Sequence, residues 1–574
     1  MSEPSEFRAE VSGGGLWTRP GVHALLVLLI AIGARLLYWA QAQSSPFPAR
    51  LHFLEDAYYY AQWSQEIAGG QWIGDHAFFM GPLYPYTLGI LSALFGLSPI
   101  TLPGIDGGET LYDYRVVFFL QAVIGALSCV GIFAIARHLT SAWPAFIAGL
   151  LAALYRPFIF FEGLLMPSSQ VLFVSVLSLL LLLVAARRGG FGWWLGAGVA
   201  LGLASLAKGP SLLLLPGIWV WLAVAFRDLP WQARLRNGLL VSVGTLSLVA
   251  LATAHNLASE GDGVLITSNA GTNLAIGNGP RATGAHAGVA LRYPSAKLDF
   301  YRFKAERKPG EPPASEVSRV LRNEALRWIT ENPGPAMALL WKKFRMYWND
   351  VEVGTSDHFY FSQRFSSVLR WPTPGFGVVA AFGVLGMLLA LRSWRRALPL
   401  FLLFWTQALI FTLFFVLGRF RFPGTACLIV FAAIAFEWIG SNVSARRFKP
   451  LALATVVVVL AALFTHLPVE GMERTRGLGN QYFLLARVEA STGEDPLPSF
   501  RAAVEHPWRA GDLSLRQKAM SHIVLGDALT SEGRSPAAVK EYLAARDLVN
   551  SLSPDSHYIP VLRQRLEKRL KRAP

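Results

Sequence analysis

Runs of apolar residues, interrupted by short polar segments, occupy most of the first 467 residues. A helix crosses the hydrocarbon core of a bilayer with about 20 residues, and runs near that length predict about eleven transmembrane helices. The predicted fold class is therefore an all-α polytopic membrane protein. The predicted spans are residues 22–40, 116–139, 143–161, 168–186, 192–207, 211–226, 238–254, 375–391, 399–417, 422–440 and 451–466.

The polar segments set the predicted orientation of these spans. Residues 1–21 precede the first span, two long loops cover residues 41–115 and 255–374, and residues 468–574 follow the last span. With a cytoplasmic N-terminal tail, five successive basic loops fall inside, as the positive-inside rule requires. The alternation then predicts that both long loops and the C-terminal domain are extracytoplasmic, on the inner membrane of a bacterial cell.

Composition agrees with this assignment. The chain has 574 residues, 53% of them hydrophobic, and 52 Lys and Arg against 37 Asp and Glu. Because the basic residues cluster at the ends of apolar runs, membrane topology explains them, and no nucleic-acid partner is predicted. The two cysteines, Cys129 and Cys427, lie in apolar runs, so neither a disulfide framework nor a cysteine-based zinc site is expected.

The first long loop carries the candidate chemistry. Glu55 and Asp56 stand together just before a helical pattern at residues 57–68, and a Pro-bracketed apolar segment, PLYPY, follows at 82–86. An acidic residue at that position is either a reactive carboxylate or the N-cap of the helix. Tyr58 and Tyr59 either stack on a substrate or belong to an interfacial aromatic belt.

Several cations lie at membrane depth or on the outer side, where the topology rule does not explain them. An ionisable residue there is costly and is commonly paired or bound to an anion, such as a lipid-linked phosphate. For Arg35 and Arg156, snorkelling of the guanidinium to lipid head groups is an equal alternative. The cations are Arg35, Arg156, Lys208, Arg419 and Arg421.

The C-terminal domain has a different pattern. Residues 519–555 fit one tetratricopeptide unit, with Leu525, Gly526, Gly533, Ala538, Tyr542 and Ala545 at the expected spacing. A single unit cannot bury its faces alone, so neighbouring helices or the membrane domain are expected to cover it. The domain is predicted to bind protein or to pack, not to catalyse.

Four local features resemble the GT-C membrane glycosyltransferases, in particular the branch of protein O-mannosyltransferases and lipid A aminoarabinose transferases. They are the acidic first loop with its PLYPY helix, the string ITSNAGTNLAIGNGPRATG, the stretch LASLAKGPSLLLLP, and the helix start RFRFPGTACLIVFAAIA. Together they cover roughly residues 20 to 440 in the order that the family has.

This resemblance implies an inverting glycosyltransferase that takes a hexose or pentose from a polyprenyl-phosphate donor on the outer membrane face. It makes residues 22–467 the catalytic domain and an acid of the first loop the base: Asp56, with Glu55 as the rival, because the order here is Glu-Asp. Donor-phosphate ligands are expected among Arg35, Lys208, Arg419 and Arg421. The expected acceptor is a protein, lipid or glycan, which the C-terminal domain would help to bind.

Other side chains have weaker predicted roles. Glu162, at the outer end of a predicted span, is expected to orient the acceptor, whereas Asn269 and Asn273 either bind sugar or form turns. No cofactor is expected: a divalent metal held by His52, Glu55, Asp75 and His76 is not supported by their spacing. The alternative functions are a transporter or flippase of lipid-linked sugars and a non-catalytic envelope assembly factor, but a transporter would place polar groups near mid-membrane.

Overall fold

The computed structural model describes residues 19–43, 50–51, 56–74, 76–102, 109–260, 263–285, 313–354, 358–509, 512–552 and 559–572. In these residues a helical bundle is followed by a smaller helical unit. The helices up to residue 285 are α1 Pro20–Ala42, α2 Asp56–Ala68, α3 Leu83–Phe95, α4 Arg115–Leu139, α5 Ala142–Ala153, α6 Arg156–Glu162, α7 Ser168–Arg188, α8 Phe191–Ala207, α9 Leu214–Ala225, α10 Trp231–Glu260 and α11 Ala270–Gly277.

The later helices complete the bundle and form the C-terminal unit. They are α12 Ala314–Glu331, α13 Pro333–Trp348, α14 Phe359–Ser362, α15 Phe376–Ala390, α16 Trp394–Leu413, α17 Phe422–Ser444, α18 Phe448–His466, α19 Leu478–Thr492, α20 Leu497–Glu505, α21 Asp512–Ser531, α22 Ser535–Asn550 and α23 Ile559–Arg572. The helical, polytopic fold predicted from the apolar runs is confirmed.

The number of membrane crossings stays a prediction. Among the described residues, seven helical stretches are long and apolar enough to span a membrane, or eight if the bent pair α5–α6 counts as one. All eleven predicted runs coincide with helices, but two of those helices, α8 and the stretch Gly209–Ala225, are shorter than a typical span. The apolar helix α3, which was not among the predicted spans, is also too short.

Close packing of small residues fixes the direction of the central helices. On α15, Gly383 lies against Leu428 and Gly386 lies against the carbonyl of Phe431, so α15 runs parallel to α17. On α16, Phe404 lies next to Gly424 and Phe401 stacks on Phe431, so α16 runs in the opposite direction. The stretch Phe376–Leu413 is therefore a helical hairpin.

One predicted span is broken. Residues 143–161 were expected to form a continuous helix, but α5 ends at Ala153 and α6 begins at Arg156, with a 45° bend between them. Pro157 explains the break, because its ring has no N–H for the carbonyl of Ala153 and clashes with that carbonyl in a straight helix. The Arg35 guanidinium donates to this carbonyl instead.

The first long loop contains a small antiparallel sheet, which the all-α prediction did not include. Its strands are β1 Arg50–Leu51, β2 Pro99–Leu102 and β3 Glu109–Tyr112, and β3 is central. All three belong to the first long loop, which also contains α2 and α3. The sheet joins the two ends of this loop, so the loop is a folded unit that places the N-terminus of α2 over the bundle.

The C-terminal unit packs as successive antiparallel helices. Gly526 of α21 lies under the ring of Tyr542 on α22, and Ala538 and Ala545 are fully buried. Gly533 has a φ of +72° in the turn between these helices, which favours glycine. This helix–turn–helix lies where the tetratricopeptide unit was predicted, and its assignment to the tetratricopeptide class stays a prediction.

Candidate functional site

The N-terminus of α2 meets the loop between α16 and α17. Asp56 lies in the first turn of α2, as predicted, and its Oδ2 accepts a 3.0 Å hydrogen bond from Nη2 of Arg419. The side chains are 25% and 10% exposed, so the ion pair is half-buried but reachable. A positive helix end and a guanidinium both stabilise the carboxylate form of Asp56.

Lys208 lies next to this pair, in the link between α8 and the 3-10 turn Gly209–Leu213. Its Nζ is 3.6 Å from the ring centre of Phe420 and 5.6 Å from that of Phe411. Arg419 packs on the same Phe420 ring, at 5.5 Å. Burial and, to a smaller extent, the charge of Arg419 lower the pKa of Lys208 to about 7, against the opposing effect of the Asp56 carboxylate. Two cations therefore share one aromatic ring beside one carboxylate.

An aromatic wall lines the α2 side of this cluster. Tyr60 is buried and sits edge-on to Tyr84, whose hydroxyl donates a 2.7 Å hydrogen bond to Gln121. Burial and the charge of Asp56 raise the pKa of Tyr60, while Arg419 lowers it. Of the two predicted substrate contacts, Tyr59 packs on Tyr60 and Trp63, and the Tyr58 hydroxyl accepts from Gln62.

The Asn/Gly string runs along the other side. It contains a helix, α11, at residues for which sugar binding or turns were the alternatives: the carbonyl of Asn269 accepts the first intrahelical bond, from the N–H of Asn273. The Oδ1 of Asn269 accepts a 3.3 Å hydrogen bond from Oγ1 of Thr267, and this hydroxyl lies close to Gly209, the residue after Lys208. Asn269 therefore lies near the link that carries Lys208, and Asn273 lies one turn further along α11.

Arg35 and Glu162 lie elsewhere, in the interior of the bundle. Their side chains are each 1% exposed and form an ion pair of 2.6 Å. Arg35 also donates to the carbonyls of Ala31 and Ala153 and to Sγ of Cys129. These contacts tie α1, α4, α5 and α6 together, so they favour a structural role over phosphate or acceptor binding.

Breaking this buried pair is expected to destabilise the bundle. Arg35→Met leaves the Glu162 carboxylate without its partner, and such losses cost about 3–5 kcal/mol. A large fall in the thermal unfolding temperature in detergent is therefore expected. The double variant Arg35→Met/Glu162→Gln removes both charges and should recover part of the loss. If the single variant is as stable as the wild type, the pair does not hold the helices together.

Arg421 is also fully engaged. It is buried, pairs with Glu352 at 2.8 Å, donates to the carbonyls of Tyr347 and Asn349, and stacks 4.0 Å from the ring centre of Phe376. These contacts anchor the segment between α13 and α14 to the start of α17. Of the four predicted phosphate ligands, the structure brings Lys208 and Arg419 together with Asp56, and it places Arg35 and Arg421 in separate buried pairs.

Some of the predicted residues lie outside the described part of the chain. These are Glu55, the rival base, and His52 and Asp75 of the imagined metal site. Among the described residues, no group of three His, Cys, Asp or Glu side chains is arranged to hold a metal ion.

Sequence reasoning did not single out Phe411 and Phe420 as site residues. Their signal was present, because Phe420 lies between the two arginines of the string RFRF and Phe411 lies in a span that ends nearby. Only the fold shows that both rings face Lys208, more than 200 residues earlier in the chain.

Comparison with known proteins gives one family match. Residues 112–255, from the end of β3 to α10 and including Lys208, match the family model described as dolichyl-phosphate-mannose-protein mannosyltransferase. The comparison with curated proteins gave no match.

Several solved structures are similar in fold at low sequence identity. The apo oligosaccharyltransferase of Archaeoglobus fulgidus is 15% identical, with a TM-score of 0.45 over 79% of this chain and 56% of that chain. ArnT from Cupriavidus metallidurans, bound to undecaprenyl phosphate, is 15% identical, with a TM-score of 0.40 over 97% of this chain and 79% of that chain. The chain spans little more than half the length of the oligosaccharyltransferase.

The family match covers α4 to α10, the helices that carry Lys208 at the end of α8 and support the first loop. It confirms the resemblance drawn from the sequence to the GT-C membrane glycosyltransferases and their protein O-mannosyltransferase-like branch.

Proposed function

We propose that this protein is an inverting glycosyltransferase that moves a sugar from a polyprenyl-phosphate donor to an acceptor hydroxyl on the outer face of the membrane. The observation that carries the proposal is the cluster of Asp56, Arg419 and Lys208, because it combines one carboxylate with two cations at one end of the bundle.

Lys208 and Arg419 supply the proposed donor-phosphate site. No hydrogen-bonding partner of the Lys208 ammonium is found among the described residues, and its ring contacts leave the N–H donors available. An ammonium on an aromatic face is attracted by the ring quadrupole, which offsets part of the cost of burying the cation. Arg419 adds a guanidinium fork suited to phosphate oxygens.

Asp56 is the proposed base. The acceptor oxygen attacks the anomeric carbon, its proton passes to the Asp56 carboxylate, and the bond from the anomeric carbon to the phosphate oxygen breaks. The bonding electrons leave with the phosphate, whose growing charge the two cations stabilise. Because the leaving group is a phosphate, it needs no protonation, and a second catalytic carboxylate is not required.

The position of the C-terminal unit supports a large acceptor. Asp350 pairs with Arg474 at 3.0 Å, Phe361 packs edge-on against Tyr482, and His358 contacts the carbonyl of Arg476. The same segment, residues 350–361, includes Glu352, which pairs with Arg421 two residues from Arg419. An acceptor protein or glycan bound to the C-terminal unit would therefore lie near the proposed active site.

A transfer assay tests the proposal. Purified protein in proteoliposomes, supplied with radiolabelled polyprenyl-phosphate sugars and an envelope extract, should label an acceptor and release polyprenyl phosphate in equal amount. Mass spectrometry of the glycoconjugates missing from a deletion strain would then identify the sugar and the acceptor. Movement of the labelled lipid between leaflets without transfer to any acceptor would contradict the proposal and favour a flippase.

A further inference from the structure

Lys343, on α13, is a buried cation that the proposed chemistry does not use. Its side chain is 0% exposed, and within the described part of the chain its Nζ donates to four uncharged oxygens. These are the carbonyls of Gly277 at 3.2 Å, Leu413 at 2.9 Å and Phe414 at 3.1 Å, and Oδ1 of Asn278 at 2.9 Å. An ammonium has three donors, so this cage uses all of its hydrogen-bonding capacity.

The four oxygens come from the ends of two helices. Gly277 is the last residue of α11 and Leu413 is the last residue of α16. Helix C-termini carry partial negative charge and unpaired carbonyls, so a cation at their junction satisfies both. The two ends also touch directly, because Gly277 has no Cβ to collide with the carbonyl of Phe414.

The loop after α16 begins at this junction, so the junction fixes the position of the first residues of the loop. From Phe414 this loop continues through Val416, whose N–H donates to the carbonyl of Gly284 at 2.9 Å, and Gly418, whose N–H donates to that of Val353 at 2.8 Å. It then reaches Arg419 and Phe420. A shift of the loop at Leu413 would therefore move both the guanidinium next to Asp56 and the ring under Lys208.

We propose that Lys343 is a positioning residue: by joining the C-termini of α11 and α16 it sets the register of the loop that carries Arg419 and Phe420, and so assembles the donor-phosphate site. This inference rests on the proposed function for its link to catalysis. The lysine touches no reacting group, and it acts through the backbone carbonyls of residues 413 and 414.

Lys343→Met tests the proposal, because it keeps an unbranched side chain as far as Cε and removes the ammonium group with its charge and donors. Displacing a site by about 1 Å costs up to about 100-fold, so the KM for the polyprenyl-phosphate donor should rise roughly 10- to 100-fold. The KM for the acceptor should stay within about twofold. The matched control is Lys342→Met, whose ammonium pairs with the 90% exposed Glu470 and should leave both constants unchanged.

Chemical rescue separates positioning from packing. Lys343→Ala lacks three methylene groups and the ammonium, which n-propylammonium supplies. Donor KM should recover at least severalfold with this cation and not with n-propanol. If Lys343→Met leaves donor KM unchanged, or raises donor and acceptor KM equally, the positioning role is wrong.

A second readout does not depend on catalysis. Ala285 and Val416 face each other in a β-bridge, so Ala285→Cys and Val416→Cys should cross-link on oxidation, with little background because Cys129 and Cys427 are buried. The yield should fall severalfold when Lys343→Met is added. An unchanged yield overturns the inference. If the yield falls as expected but the wild-type protein binds no polyprenyl phosphate, the proposed function is wrong while the positioning of the loop by Lys343 still holds.

Discussion

Asp56→Asn is expected to abolish sugar transfer while the protein still inserts in the membrane and binds its donor. The amide keeps the size of the side chain but cannot accept the acceptor proton, and a positioned base contributes on the order of 10²–10⁴-fold to rate. The measurement is kcat with saturating donor, together with binding of a labelled polyprenyl-phosphate sugar to the protein in proteoliposomes without acceptor. Donor affinity should fall by no more than a few fold.

The matched control for this variant is Glu66→Gln. Glu66 is exposed and lies on the same helix as Asp56, and its substitution by Gln removes one negative charge, as Asp56→Asn does. It should retain wild-type kcat. Transfer by Asp56→Asn at the wild-type rate would show that another group, with Glu55 the first candidate, takes the proton.

Substitution of Lys208 is expected to weaken donor binding and to remove the pH dependence of kcat/KM for the donor. Hydrogen bonds to charged groups are worth about 1.5–3 kcal/mol, so Lys208→Met should raise donor KM by about 10- to 150-fold. Burial places the Lys208 pKa at about 7, so the amine is mainly charged below pH 7 and mainly neutral above it. In the wild type, kcat/KM for the donor should therefore fall as the pH rises from 6 to 8.

Lys208→Arg provides the control for the pH effect. A guanidinium remains charged throughout this range, so the variant should bind donor and lose the decline between pH 6 and 8. If the wild-type and Lys208→Arg profiles have the same slope, Lys208 is not the group that titrates.

The first loop shows how much the local sequence could predict. An acidic residue before a helical pattern and a Pro-bracketed apolar segment predicted α2, α3 and the place of Asp56, because capping and periodicity are local properties. The partner of Asp56 could not be predicted in the same way. Arg419 lies 363 residues away, and the pairing depends on how the loop after α16 packs over the bundle.

The roles of the buried cations, in contrast, could not be told apart from the sequence. Arg35, Lys208, Arg419 and Arg421 have the same signature in the sequence, a basic residue that topology does not explain. Only the fold separates them, since Arg35 and Arg421 each find a buried carboxylate within 2.8 Å, whereas Lys208 packs on aromatic rings. The helix break at Pro157 also depends on the fold, because the Ala153 carbonyl that the break leaves unpaired accepts a hydrogen bond from Arg35.

The ring of Phe420, shared by Lys208 and Arg419, has a consequence for turnover. A polyprenyl-phosphate sugar is a phosphodiester with one negative charge, whereas the polyprenyl phosphate left after transfer is a monoester whose second ionisation has a pKa near 6. Two neighbouring cations therefore hold the spent carrier more tightly than the fresh donor. Under the proposed chemistry, departure of the carrier lipid, rather than sugar transfer, would limit the rate, and loss of the Lys208 proton near neutral pH would hasten it.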